Sequence, residues 1–91
     1  MYTASAKLSF HIPQANSLKD KRQVCRSLID KTKRRYNVSI AEVDMQDVHQ
    51  RLCIGIAVVS GENSHAEKSL DGIIRYMEEH SNADLYDIEI Q

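Results

Sequence analysis

Residues 2 to 12, Tyr-Thr-Ala-Ser-Ala-Lys-Leu-Ser-Phe-His-Ile, put apolar side chains at every even position and polar ones at every odd position. That period of two marks a strand with one buried face, and Pro13 ends it. Outward from it, Asn16 or Ser17 caps a helix, with Asp20 three residues after Ser17, where it can reach back in a weak capping box. Leu18, Val24, Cys25, Leu28, Ile29, Thr32 and Tyr36 recur at helical spacing and define the face turned to the core. Asn37 stops that helix. Val38 to Asp44 and Leu52 to Ser60 read as two strands of a hairpin joined by Met45 to Gln50, the second bounded by Gly61.

Ser64-His-Ala-Glu67 has the form of a capping box, and Ala66, Leu70, Ile73, Ile74 and Met77 follow as the apolar stripe of a second helix. Gly72 weakens that helix by up to about 1 kcal/mol relative to Ala. Leu85 to Ile90 alternates once more, Tyr86, Ile88 and Ile90 against Asp87 and Glu89. The order strand, helix, strand, strand, helix, strand predicts an α+β, ferredoxin-like βαββαβ sandwich. In it a four-stranded antiparallel sheet carries both helices on one face, as a single domain over residues 1–91.

A chain of 91 residues buries roughly 60 to 65% of its unfolded surface and is only marginally stable without help. A partner subunit is one such help. In the third strand Leu52, Ile54, Ile56 and Val58 face the helices, yet Cys53, Gly55, Ala57 and Val59 on the other side are also apolar or small. Strands apolar on both sides are usually covered on both sides, so homodimerisation through the open sheet face or an edge is expected. The longest apolar run, Leu52 to Val59, is far short of a membrane span. Lys7 sits inside the first apolar stretch and not ahead of it, unlike a signal peptide, so a cytoplasmic location is expected. Cys25 and Cys53 have neither CxxC spacing nor a nearby His, which fits packed thiols and not a metal or redox site.

Charge is unevenly distributed. Residues 17 to 35 hold eight of the 12 Lys and Arg and two of the 13 acids, a local charge of +6 that leaves −7 on the rest of the chain. Winding the helix places Lys19, Arg22, Arg26 and Lys33 in one stripe beside the core face, with Arg34 and Asp30 further round. The backbone N–H groups at the helix start add to its attraction for anions. A phosphate backbone needs only positive donors along such an element. Lys19, Lys21, Arg22, Arg26, Lys33 and Arg34 are therefore the candidate phosphate contacts, and structured or ribosomal RNA is the candidate partner. The competing reading is a solvated face in which Asp30 pairs with Arg26 and Arg34.

The odd positions of the first strand and the whole of the third lack aromatic residues, so the base stacking of an RNA-recognition motif is not expected on the sheet. No GxxG is present for a KH loop, which leaves RNA read by its backbone. Glu42, Asp44, Asp47 and His49 crowd the hairpin, Glu42 and Asp44 pointing the same way along a strand. They form the one constellation that could hold a hard metal or act as a general base, but their spacing matches no metal loop, and a solvated acidic turn or a docking partner for the basic helix is the favoured explanation. No glycine-rich phosphate loop of the acylphosphatase kind is present. No catalytic residue, cofactor or small-molecule substrate is assigned, and a non-enzymatic protein is expected. The alternative to an RNA-associated accessory is a protein-interaction or structural homodimer module.

Ser17 to Arg22 (Ser-Leu-Lys-Asp-Lys-Arg), Tyr36 to Asp44 (Tyr-Asn-Val-Ser-Ile-Ala-Glu-Val-Asp), Asp47, and Ile54 to Ser60 (Ile-Gly-Ile-Ala-Val-Val-Ser) together resemble the YlxP-like family of small bacterial proteins. The resemblance runs over nearly the whole chain. It implies the ferredoxin-like fold, a bacterial cytoplasmic protein without an established biochemical role, and a gene set among translation and ribosome-assembly genes. His49 stands where a Trp tends to occur in the family pattern, which implies a hairpin held less firmly against any partner.

Overall fold

The alternation of residues 2 to 12 becomes the central scaffold of the sheet. The structure, a computed structural model, describes residues 1–91. Its elements are β1 (Tyr2–His11), α1 (Leu18–Arg35), β2 (Ser39–Asp44), β3 (Arg51–Ser60), α2 (Asn63–His80) and β4 (Asp84–Ile90). The four strands form one antiparallel sheet in the order β2-β3-β1-β4, with both helices packed on one face. This is the ferredoxin-like arrangement expected from the order of elements.

β1 and β3 pair without interruption from Tyr2↔Ser60 to His11↔Arg51. Residues directly opposite share a face. Ala6 with Ile56, Leu8 with Ile54 and Phe10 with Leu52 therefore all point at the helices. There they meet Leu28 of α1 and Ile73 and Met77 of α2, all of them almost completely buried. Each large apolar side chain removed from water contributes about 1.5 to 3 kcal/mol, so this seam holds the layers together.

Three local readings are corrected by the backbone. In β4 the register steps from Phe10↔Leu85 to Ser9↔Asp87, which leaves Tyr86 as an extra, bulged residue. Tyr86 thus parts from Ile88, which pairs with Leu8, and its ring lies 5.2 Å from the guanidinium of Arg51. In β2 a second shift runs from Glu42↔Ile54 to Asp44↔Cys53, with Val43 as the extra residue. Glu42 and Asp44 consequently point to opposite faces, because a bulge reverses the side-chain alternation beyond it. Finally, α2 begins at Asn63, so Ser64 lies inside the helix and is not its cap. The Ser64 to Glu67 capping box does not form. Gly61 and Glu62 complete the turn out of β3, and the Ser60 hydroxyl accepts the Glu62 N–H at 3.1 Å.

Candidate functional site

Helix α1 starts at a formed cap. The Ser17 hydroxyl accepts the Asp20 N–H at 3.1 Å, and the Asp20 carboxylate accepts the Asn16 N–H at 3.0 Å. The side-chain bonds satisfy two backbone donors and place a negative charge in the first turn. The helix start expected to attract anions thus has one of its N–H groups taken by the Ser17 hydroxyl and carries the Asp20 charge in its first turn.

Lys21 corrects the candidate set. It is 1% exposed, with its ammonium 2.8 Å from Glu42 Oε2 and donating to the Met45 carbonyl. Glu42 Oε2 is itself buried and has no further donor. A lysine so enclosed cannot meet a phosphate, so Lys21 leaves the set of candidate contacts. Its place was legible: Lys21, Cys25, Leu28 and Thr32, spaced 4, 3 and 4 residues apart, are the four buried positions of α1. Beside it, burial pushes the Cys25 thiol up to about 11, with the Glu42 charge adding to the rise and the Lys21 charge opposing it.

The remaining candidates lie outside. Lys19, Arg22, Arg26, Lys33 and Arg34 are all exposed and fall within a sector of about 120° around the helix. The ion pairs of the protein are Lys7–Glu89 and Lys21–Glu42, so none of the five is neutralised. The intrahelical pairing of Asp30 with Arg26 and Arg34 is absent. The face is a row of cations without ion pairs, with Asp30 among them; Arg35, about 100° round from Arg34, lies on another side of the helix.

The hairpin carboxylates do not converge. Glu42 turns inward to Lys21, and Asp44 accepts the Met45 N–H at 2.8 Å. Asp47 and His49 stand exposed in the connection. No three His, Cys, Asp or Glu side chains come together as metal ligands. Met45, at φ 57°, turns the chain out of β2 and directs its carbonyl to Lys21.

On the face away from the helices, Lys7 bonds Glu89 at 3.2 Å, and this hydrogen bond and charge raise the Lys7 pKa above its ordinary value. Between β1, β2 and β3 a depression of about 490 Å³ has small residues as its floor, among them Ser5, Ala41, Gly55 and Ala57. Val43 forms one wall, close enough that a Cβ on Gly55 would lie 2.9 Å from its Cγ1.

A group of aromatic residues escaped the reading of the sequence. Tyr36, at the end of α1, meets Tyr76 of α2 edge to face, with ring centroids 5.6 Å apart at 75°. His80 stacks on Tyr76 at 4.1 Å and 21°. They line a cavity of about 350 Å³ with Arg35, Arg75 and Glu79. Tyr76 and His80 are spaced i and i+4, a signal that one helix offers; the addition of Tyr36 and Arg35 comes only from helix packing.

The comparisons fit this architecture. Residues 3–90 match a family model described as a protein of unknown function, DUF503. A Bacillus subtilis (strain 168) protein described as "Uncharacterized protein YlxP" is 37% identical over 67 residues, covering 74% of this chain and 73% of that protein. Among solved structures, the solution NMR structure of the de novo designed protein LFR1 1, with a ferredoxin fold, superposes with a TM-score of 0.63. It covers 100% of this chain and 86% of its own at 18% identity, a likeness of fold alone. No helix is long and apolar enough to cross a membrane.

Proposed function

We propose that this chain, which belongs to the DUF503 family of YlxP-like proteins, is a non-enzymatic accessory protein that holds structured RNA by its phosphate backbone. The observation that carries the reading is the row Lys19, Arg22, Arg26, Lys33 and Arg34, exposed and unpaired on one helix face. Phosphates spaced along a duplex are the ligand that such a row satisfies without any base code. The expectation of ribosomal RNA as the natural source rests on the family resemblance, and the chemistry asks only for a folded polyanion.

Titration of a labelled RNA duplex at several salt concentrations tests it. Binding should weaken steeply with salt, and Arg22→Glu with Arg26→Glu should both weaken it and flatten the log–log slope by about one unit per lost contact. Absence of binding at low ionic strength removes the reading.

One observation favours a second reading, a homodimer built on the uncovered sheet face. The small-residue depression beside the Lys7–Glu89 pair supports this reading: a second copy docked there across a two-fold axis would let Lys7 of one copy exchange its intrachain partner for Glu89 of the other. Light scattering decides this, since a monomer at micromolar concentration excludes it.

A further inference from the structure

The cavity between the end of α1 and the second half of α2 includes no residue of the basic row, lies on another side of α1 from it and differs from it in kind. Tyr36 and Tyr76 are half-buried and fixed against each other, while His80 is exposed and already parallel to Tyr76. The His80 ring is held in place because its Nδ1 lies 2.9 Å from the Tyr76 carbonyl. A flat ring so held can continue the stack by one more ring. Arg35 and Arg75 flank the rings and make no ion pair, although Glu79 lies near enough to line the same cavity. The space, about 350 Å³, lies at the small end of the roughly 300 to 1,000 Å³ typical of ligand sites.

We propose that this cavity takes a single nucleotide unit. An unpaired base stacks on His80 in continuation of Tyr76, the exocyclic amine or ring N–H of that base donates to Glu79, and its phosphate lies between Arg35 and Arg75. Each part matches one need of the ligand. Aromatic faces stack with any base, guanidinium groups donate to phosphate oxygens in a forked geometry, and the Glu79 carboxylate can accept from an N–H donor on the base. The proposal rests on the reading of α1 as an RNA contact, and it adds to that reading a preference for RNA with an unpaired base. The stacking platform absent from the sheet is thus supplied by the helices.

The full-length chain is titrated with two RNAs of equal length, one fully paired and one with a single unpaired purine, and separately with AMP and GMP followed by the ring resonances of Tyr36, Tyr76 and His80. His80→Ala and Arg75→Gln alter exposed residues, and an unchanged urea midpoint verifies that each variant keeps the fold. The bulged RNA should bind more tightly than the duplex, and either variant should lower its affinity roughly tenfold with less than a twofold effect on the duplex. Equal binding of both RNAs, unaffected by the variants, overturns the cavity and leaves the α1 reading standing. If neither RNA binds, the α1 reading fails. Ring shifts with AMP or GMP that Arg75→Gln abolishes would then support a free nucleotide as the occupant, and their absence overturns the cavity as well.

Discussion

Lys21 and Glu42 meet inside the protein, Nζ 2.8 Å from Oε2, and join α1 to β2. The pair ties together several features that looked separate in the sequence. Lys21 occupies the apolar stripe of α1, Glu42 precedes the bulge at Val43, and Met45 supplies a carbonyl from a left-handed turn. Removing one partner strands the other in a poorly solvated place.

Lys21→Met should therefore destabilise the fold. Breaking a fully buried pair costs about 3 to 5 kcal/mol. The Glu42 side chain keeps 23% of its exposure, so a loss of about 2 to 3 kcal/mol is expected in urea unfolding. Lys21→Met with Glu42→Leu should recover most of it, and a double variant as unstable as the single one would refute the coupling.

The two serines near the helix starts should behave oppositely. Ser17→Ala removes a formed cap and should cost about 1 kcal/mol. Ser64→Ala, inside α2 with no cap bond to lose, should be neutral or slightly stabilising because Ala is the better helix former. Equal losses at both positions would contradict the observed start of α2.

Gly55→Ala should lower stability by about 1 to 2 kcal/mol, because the new Cβ would press on Val43 Cγ1 at 2.9 Å. Adding Val43→Ala should restore most of the loss, since Val43 is itself half exposed. Thermal unfolding of the single and double variants compares them directly.

The raised Cys25 pKa gives a pH dependence with a definite sign. The fold favours the neutral thiol, so its contribution is complete below the unfolded value of 9.0 and is lost as the pH rises towards about 11. Stability should fall across that window and fall less in Cys25→Ala. Both cysteines are buried, so a thiol reagent at pH 8 should label the native chain far more slowly than the unfolded one.

Charge reversal on the basic row should leave the fold alone. Arg22→Glu with Arg26→Glu alters two exposed side chains that make no ion pair, so the unfolding free energy should change by no more than about 0.5 kcal/mol per site. A larger loss would mean that these arginines have structural partners.

The sequence by itself determined the layers. An unbroken period of two in β1, helical spacing in α1 and α2, and a β3 apolar along its length leave few ways to bury the apolar faces, and the βαββαβ order follows from them. It also determined the basic character of α1, since a charge excess is a property of composition. What only the tertiary structure decided were the places where the period breaks or distant residues meet. The bulges at Val43 and Tyr86 reverse the facing of Asp44 and separate Tyr86 from Ile88, and neither carries a glycine or proline to announce it. Lys21 reads as one of six similar cations until Glu42, 21 positions away, proves to be folded against it. Tyr36 and Tyr76 become a platform only because two helices cross there. Periodicity is a local property that each segment carries alone, whereas pairing, burial of charge and the shape of a cavity depend on which surfaces the fold brings within a few ångströms of one another.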